Sequence, residues 1–119
     1  VEGRPAVFAA GKHYVRPEDR PYMGLIAQAM NKNLDWTLTV EGQGVPADAK
    51  AMGLFQTGRV DEDNRIALKE LARSREQAIR DYLAARGVSP ERIISKGPTV
   101  LDDADARPIV RFTLDKQDD

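Results

Sequence analysis

The sequence contains no cysteine, one histidine and one tryptophan in 119 residues. Without cysteine there is no disulfide framework and no thiolate metal site. With a single histidine, His13, and no serine or acid at a meaningful spacing from it, a Ser-His-Asp arrangement is excluded. Paired catalytic carboxylates and metal-ligand spacings are missing too, so an enzyme is not expected, and neither is a cofactor. No apolar run approaches the ~18 residues of a membrane span. The charge is nearly balanced, 18 Lys+Arg against 19 Asp+Glu for a net of −1, which removes the electrostatic reason to expect nucleic acid as a partner. Internal repeats and low-complexity tracts are absent. So is a signal peptide, and the chain opens at Val1 rather than Met, as expected of an excised domain or a processed chain.

What remains is a chain with 41% hydrophobic and 31% charged residues, the composition of one globular domain over 1–119 with room for a single core. Its strongest pattern is a helix from Asn64 to Gly87. At ~100° per residue, Leu68, Leu71, Ala72, Ala78, Ile79, Tyr82 and Leu83 share one arc, and Lys69, Glu70, Arg73, Ser74, Gln77, Arg80 and Asp81 the other. Gly87 suits the position just past the C-terminus, and Asp63 or Asn64 suits the N-cap. Arg75 breaks the pattern: it lies near the middle of the apolar arc. A guanidinium there needs either an internal partner, for which Asp61, Asp63 or a strand-end carbonyl are candidates, or a cleft at the core's edge where it meets a ligand.

Leu34 to Glu41 alternates apolar and polar with strand-favouring residues and is the clearest strand, closed by Gly42-Gln43-Gly44. Its apolar face puts Trp36 in the core. Before it, Ala6-Val7-Phe8 begins a strand, His13-Tyr14-Val15 is a second short extended piece, and Tyr22–Asn33 is a helix opened by Pro17, Glu18 and Asp19. Residues 45–63 are irregular, with a short helix within Ala47–Phe55 and an acidic lead-in to the long helix. Ile93–Ser95 and Ile109–Leu114 are strands separated by a polar acidic loop over Thr99–Ala106, and 116–119 is a tail. Asp102, Asp103 and Asp105 lack the oxygen spacing of a calcium loop. The order strand-helix-strand-helix-strand-strand predicts an α/β sandwich, with helices on one face of a small mixed sheet and some parallel pairing.

Within that frame, Leu71-Ala72-Arg73-Ser74-Arg75-Glu76-Gln77-Ala78-Ile79-Arg80-Asp81-Tyr82-Leu83 resembles the Leu-Ser-x-x-Arg-Ala-x-x-Val-x-x-Tyr-Leu helix of the OmpA C-terminal-like (OmpA/Pal/MotB) domains. Gly87-Val88-Ser89-Pro90-Glu91-Arg92-Ile93 followed by Gly97 resembles that family's next segment. Val40-Glu41-Gly42 resembles the end of its second strand, and Val7-Phe8…Gly11 before a Pro-Glu helix resembles its start. The resemblance implies an OmpA-like β-α-β-α-β-β fold, a periplasmic or cell-envelope location, and non-covalent binding of peptidoglycan. In the family, an acid of a Gly-His-Thr-Asp loop and the helix arginine grip the diaminopimelate of the stem peptide. Arg75 matches that arginine, whose planar fork suits a carboxylate.

The loop departs from the pattern. Gln43, Gly44 and Val45 stand where the family has His, Thr and Asp; Leu68 stands in place of an asparagine; and Arg107-Pro108-Ile109 replaces Asn-Arg-Arg. An insertion around Met52-Gly53-Leu54-Phe55 lengthens the connection to the long helix. The resemblance therefore implies a ligand site of Arg75 with Gln43, its acid supplied by Asp61 or Asp63 from the insertion. The helix and the eroded acid loop look like those at the C-terminal end of large AsmA-like envelope proteins of Gram-negative bacteria. Two functions stay open: a module anchoring a larger protein to peptidoglycan, or the same fold kept as a structural or protein-interaction domain of an envelope assembly.

Overall fold

A computed structural model describes residues 2–54 and 62–116. The elements are β1 (Ala6–Val7), α1 (Arg20–Lys32), β2 (Trp36–Gly44), α2 (Pro46–Ala51), α3 (Glu62–Ala84), β3 (Ile93–Ser95), β4 (Thr99–Val100) and β5 (Ile109–Lys116), with single 3-10 turns at Pro17–Asp19 and Pro90–Arg92. The sheet runs β1-β5-β2-β3, with β4 pairing the end of β2. β2 is antiparallel to β5, Val40 opposite Phe112, and parallel to both β3 and β4. The mixed sheet and its parallel pairs follow the sequence expectation. The short helix expected within Ala47–Phe55 is α2, which begins one residue earlier at Pro46, and β4 is added to the expected order.

The period-two alternation of β2 sends Leu38 and Val40 into the core and leaves Thr37, Thr39 and Glu41 on the opposite face. Leu38 and Val40 meet Met23, Ile26 and Met30 of α1 and Ile79 and Leu83 of α3, with Val110 and Phe112 of β5. The other face is polar: Arg111 donates to the Glu2 carboxylate, which this hydrogen bond and charge hold below the usual carboxylate range.

Four boundaries differ from the sequence expectation. The clearest strand begins at Trp36 and not at Leu34, which lies in the preceding turn, 77% exposed. β2 does not stop at Glu41 but continues through Gly42-Gln43-Gly44, because β4 pairs with Gln43 and Gly44. Part of the acidic loop is thereby a strand. His13-Tyr14-Val15 is not extended ladder, and His13 is exposed. The long helix begins at Glu62, so its N-cap position falls at 61, outside the described residues, as do Gln56-Thr57-Gly58. Its other end is as the sequence suggests. Gly87 has φ +90°, its N–H donates to the Ala84 carbonyl, and Val88 N–H reaches back to Leu83, a Schellman closure.

Arg92 fastens the edge of the sheet to α1. Its guanidinium donates to the carbonyls of Met30 (2.9 Å), Asn33 (2.8 Å) and Trp36 (3.0 Å from Nε). These are the orphan acceptors at the end of α1 and the entry to β2. Arg92→Ala removes charge-assisted bonds from partly buried carbonyls and is expected to cost about 2–3 kcal/mol in urea unfolding; a loss under about 0.5 kcal/mol would mean that water replaces the side chain fully.

Candidate functional site

Among the described residues, Arg75 is the largest side chain with no solvent exposure. It projects from the middle of α3 toward the end of β2, flanked by the loop that follows β1 and by α2. Each of its five N–H groups has an acceptor. Nε donates to the Lys12 carbonyl (2.9 Å); Nη1 to the Gln43 carbonyl (2.8 Å) and Asp48 Oδ2 (2.7 Å); Nη2 to Asp48 Oδ1 (2.6 Å) and the Ala9 carbonyl (3.4 Å). The guanidinium also lies 5.3 Å from the centre of the Phe8 ring, within cation–π range.

Asp48 is equally closed, its side chain 0% exposed. Beyond the two-pronged contact with Arg75, Oδ1 accepts from Gly11 N–H (2.8 Å) and Oδ2 from Val45 N–H (3.0 Å). The Val45 bond explains how α2 starts. Pro46 occupies its first turn, and the acid three residues after Val45 turns back to the free backbone donor there. The buried charges are thus paired, and their remaining hydrogen-bonding capacity is met by backbone from two segments, residues 9–12 and 43–45. That is the condition under which a buried ion pair is tolerated.

A second buried acid sits one residue on. Glu76, 2% exposed, accepts from Gly42 N–H (2.7 Å) and from the Ser95 hydroxyl. It ties α3 to β2 and β3 where Gly42 lets the helix come close. The signal for Glu76 was present in the sequence, because it continues the Leu68–Ala72 row of α3 at spacing four.

The residues expected at the site do not all converge. Gln43 reaches Arg75, but through its backbone carbonyl. Asp63 is exposed in the first turn of α3, and Asp61 lies outside the described residues. The acid at Arg75's fork is Asp48, to which the sequence reading gave no role. The signal available for it was local: a Pro at the first position of a short helix with an acid two residues later. Nothing in that segment indicates that its partner lies 27 residues further along.

Chemically, the cluster can hold four segments together. It offers no nucleophile and no proton donor to an open cleft. Among the described residues no group of His, Asp and Glu has the size of a metal site, and no helix is long and apolar enough to cross a membrane.

No family model matches the sequence, and no curated protein does. Solved structures do match in three dimensions. The OmpA-like domain of FopA1 from Francisella tularensis superposes with a TM-score of 0.69 over 94% of this chain and 71% of its own, at 18% identity. The C-terminal domain of Helicobacter pylori MotB gives 0.64 over 97% and 86%, at 14% identity. The peptidoglycan-associated lipoprotein from Burkholderia pseudomallei gives 0.62 over 97% and 91%, at 18% identity. At such identities the likeness speaks for the backbone. With its mixed sheet, its two long helices on one face and nearly the whole chain covered, this protein has the OmpA-like fold.

Proposed function

We propose that this chain is a non-catalytic module of the cell envelope, working in the periplasm as part of a larger protein, in which the Arg75–Asp48 pair holds the fold rather than a ligand. The observation that carries this reading is the saturation of the pair. Every guanidinium N–H is taken within the chain, and both side chains are wholly buried. A stem-peptide carboxylate would have to displace Asp48 from a charge-assisted, two-pronged contact, leaving a buried acid unpaired at a cost of several kcal/mol. The fold then serves as a rigid platform for envelope protein partners.

A second reading is favoured by a different observation. The Burkholderia structure that this chain resembles is named a peptidoglycan-associated lipoprotein, and Arg75 stands at the matching place in the helix pattern. On that reading the module attaches its parent protein to peptidoglycan, with Asp48 as the acid, opening to admit diaminopimelate beside the Gln43 backbone.

One pair of measurements separates the two. The Arg75 Nε–H, buried and bonded, gives a slowly exchanging signal in nitrogen-labelled protein. Under the first reading saturating meso-diaminopimelate leaves that signal unmoved, and purified peptidoglycan does not retain the protein in a pull-down. Retention that free diaminopimelate competes away, together with a shift of the Arg75 signal, would overturn it in favour of the second.

A further inference from the structure

The helix-facing side of the sheet extends past α1 and leaves an apolar groove of about 450 Å³, within the roughly 300–1,000 Å³ usual for small-ligand sites. Tyr22, Leu25 and Ala29 of α1 form one wall; Trp36 of β2 and Leu114 and Lys116 of β5 form the floor and far end. Trp36 and Leu114 stand on the core-facing side of their strands yet remain half-buried, since α1 does not reach over them. Leu25 is 61% exposed at the rim. Neither the core nor the Arg75 cluster accounts for this concavity.

Among the described residues, the one charged side chain that lines the groove is a cation. Lys116 lines the groove, and Arg4 lies 4.7 Å from the ring centre of Tyr22. Among the described residues neither cation belongs to an ion pair. No described acid lines the groove: Asp35 lies in the loop before β2, and Asp115 alternates with Lys116 onto the opposite face of β5. An apolar trough lined at one end by a cation complements a molecule with an aliphatic body and an anionic head. A second protein surface fits less well. Stable interfaces bury on the order of 1,200–2,000 Å²; of the other exposed large apolar side chains among the described residues, Leu34 is in the loop that joins α1 to β2, while Tyr14, Met52, Ile66 and Ile94 lie on other elements.

We infer that this groove binds a single fatty acid, its chain between α1 and the sheet and its carboxylate at Lys116. Trp36, the only tryptophan, lines the groove and reports occupancy by its emission. The probe is sodium laurate at concentrations well below micelle formation, with dodecanol (same chain, no charge) and acetate (same charge, no chain) alongside. Laurate is expected to shift Trp36 emission saturably at one per chain, dodecanol about tenfold more weakly, a difference near 1.4 kcal/mol, and acetate not at all. Lys116→Glu should weaken laurate by a similar factor and leave dodecanol unchanged. Ala29→Phe should fill the trough and abolish the response. Leu25→Asp, at an exposed position where folding is not at risk, should weaken laurate as well and covers the case in which Ala29→Phe does not fold. The absence of a saturable response to laurate would overturn the proposal, and so would an affinity for laurate unchanged in Lys116→Glu or in Leu25→Asp. Sedimentation showing a dimer that Leu25→Asp dissociates would also overturn it, assigning the groove to a second copy.

Discussion

Arg75→Ala is expected to destabilise the protein by about 3–5 kcal/mol, a fall in melting temperature on the order of 10–20 °C for a domain of this size. The loss does not measure the worth of one ion pair. It combines the orphaning of Asp48 with the release of the Lys12, Gln43 and Ala9 carbonyls. Asp48→Ala should cost a similar amount by the mirror route, leaving an uncompensated guanidinium at 0% exposure. The double replacement Arg75→Met, Asp48→Leu discriminates. With both charges gone no buried ion remains, so its destabilisation should be clearly less than the sum of the two single ones. It should still fall short of the parent, since Gly11 and Val45 N–H lose their acceptor, at about 1–3 kcal/mol for each donor left buried and unmatched. Arg75→Lys has three donors on a point charge and cannot reproduce the fork, so it belongs between the wild type and Arg75→Ala. Urea melts of these proteins decide the matter; strict additivity would mean that Arg75 and Asp48 are not energetically a pair.

That outcome bears on function, since the same cluster is both the motif arginine of the family resemblance and a structural staple. If it resists opening, the OmpA-like fold is retained here without an accessible ligand fork. If it opens for diaminopimelate, Asp48 acts as the acid that Val45 does not supply.

How far the sequence disclosed this depends on which residues answer to periodicity. The α3 stripe and the alternation of Trp36–Glu41 are legible because burying one face of a helix or sheet enforces a 3.6- or two-residue repeat; Leu34 continues the pattern in sequence but lies outside the strand and is exposed. Arg75 was legible as an exception to the repeat. Its partner was not. Asp48 sits in a six-residue helix too short to show a pattern, and long-range pairing leaves no local trace. Alternation predicts Trp36 in the core; the strand face is right, but the covering helix stops short, which alternation cannot reveal. Gly42-Gln43-Gly44 was read as a turn because glycine is a poor strand former. Here the glycines serve a different need, which only the neighbouring helix explains.

Gly42→Ala is the second large effect. Neither Gly42 nor Gly44 has a positive φ, so the backbone would accept alanine and the penalty is purely one of space. A Cβ at 42 would stand 2.4 Å from the Ala72 carbonyl oxygen and 2.8 Å from Glu76 Cγ; a Cβ at 44 would stand 2.6 Å from the Leu68 carbonyl oxygen. The spacing explains why both positions matter. Two strand residues advance about 6.6 Å and four helix residues about 6 Å, so the glycines meet successive turns of α3 as it passes antiparallel over the end of β2. The obstacle is main chain, which no rotamer change can clear, so α3 must lift, and lifting it also stretches the bond from Gly42 N–H to the buried Glu76 carboxylate. A destabilisation of about 2–4 kcal/mol is expected, at or above the upper end of ordinary overpacking. Gly24→Ala is the control: it lies inside α1 with nothing within 4 Å of the added methyl, and helix propensity alone should raise stability by roughly 0.5–1 kcal/mol. Thermal melts of both variants test the close approach directly. A Gly42→Ala protein as stable as the parent would mean that α3 is not pressed against β2, and with that the shared anchoring of Glu76 and Arg75 at this crossing would fail.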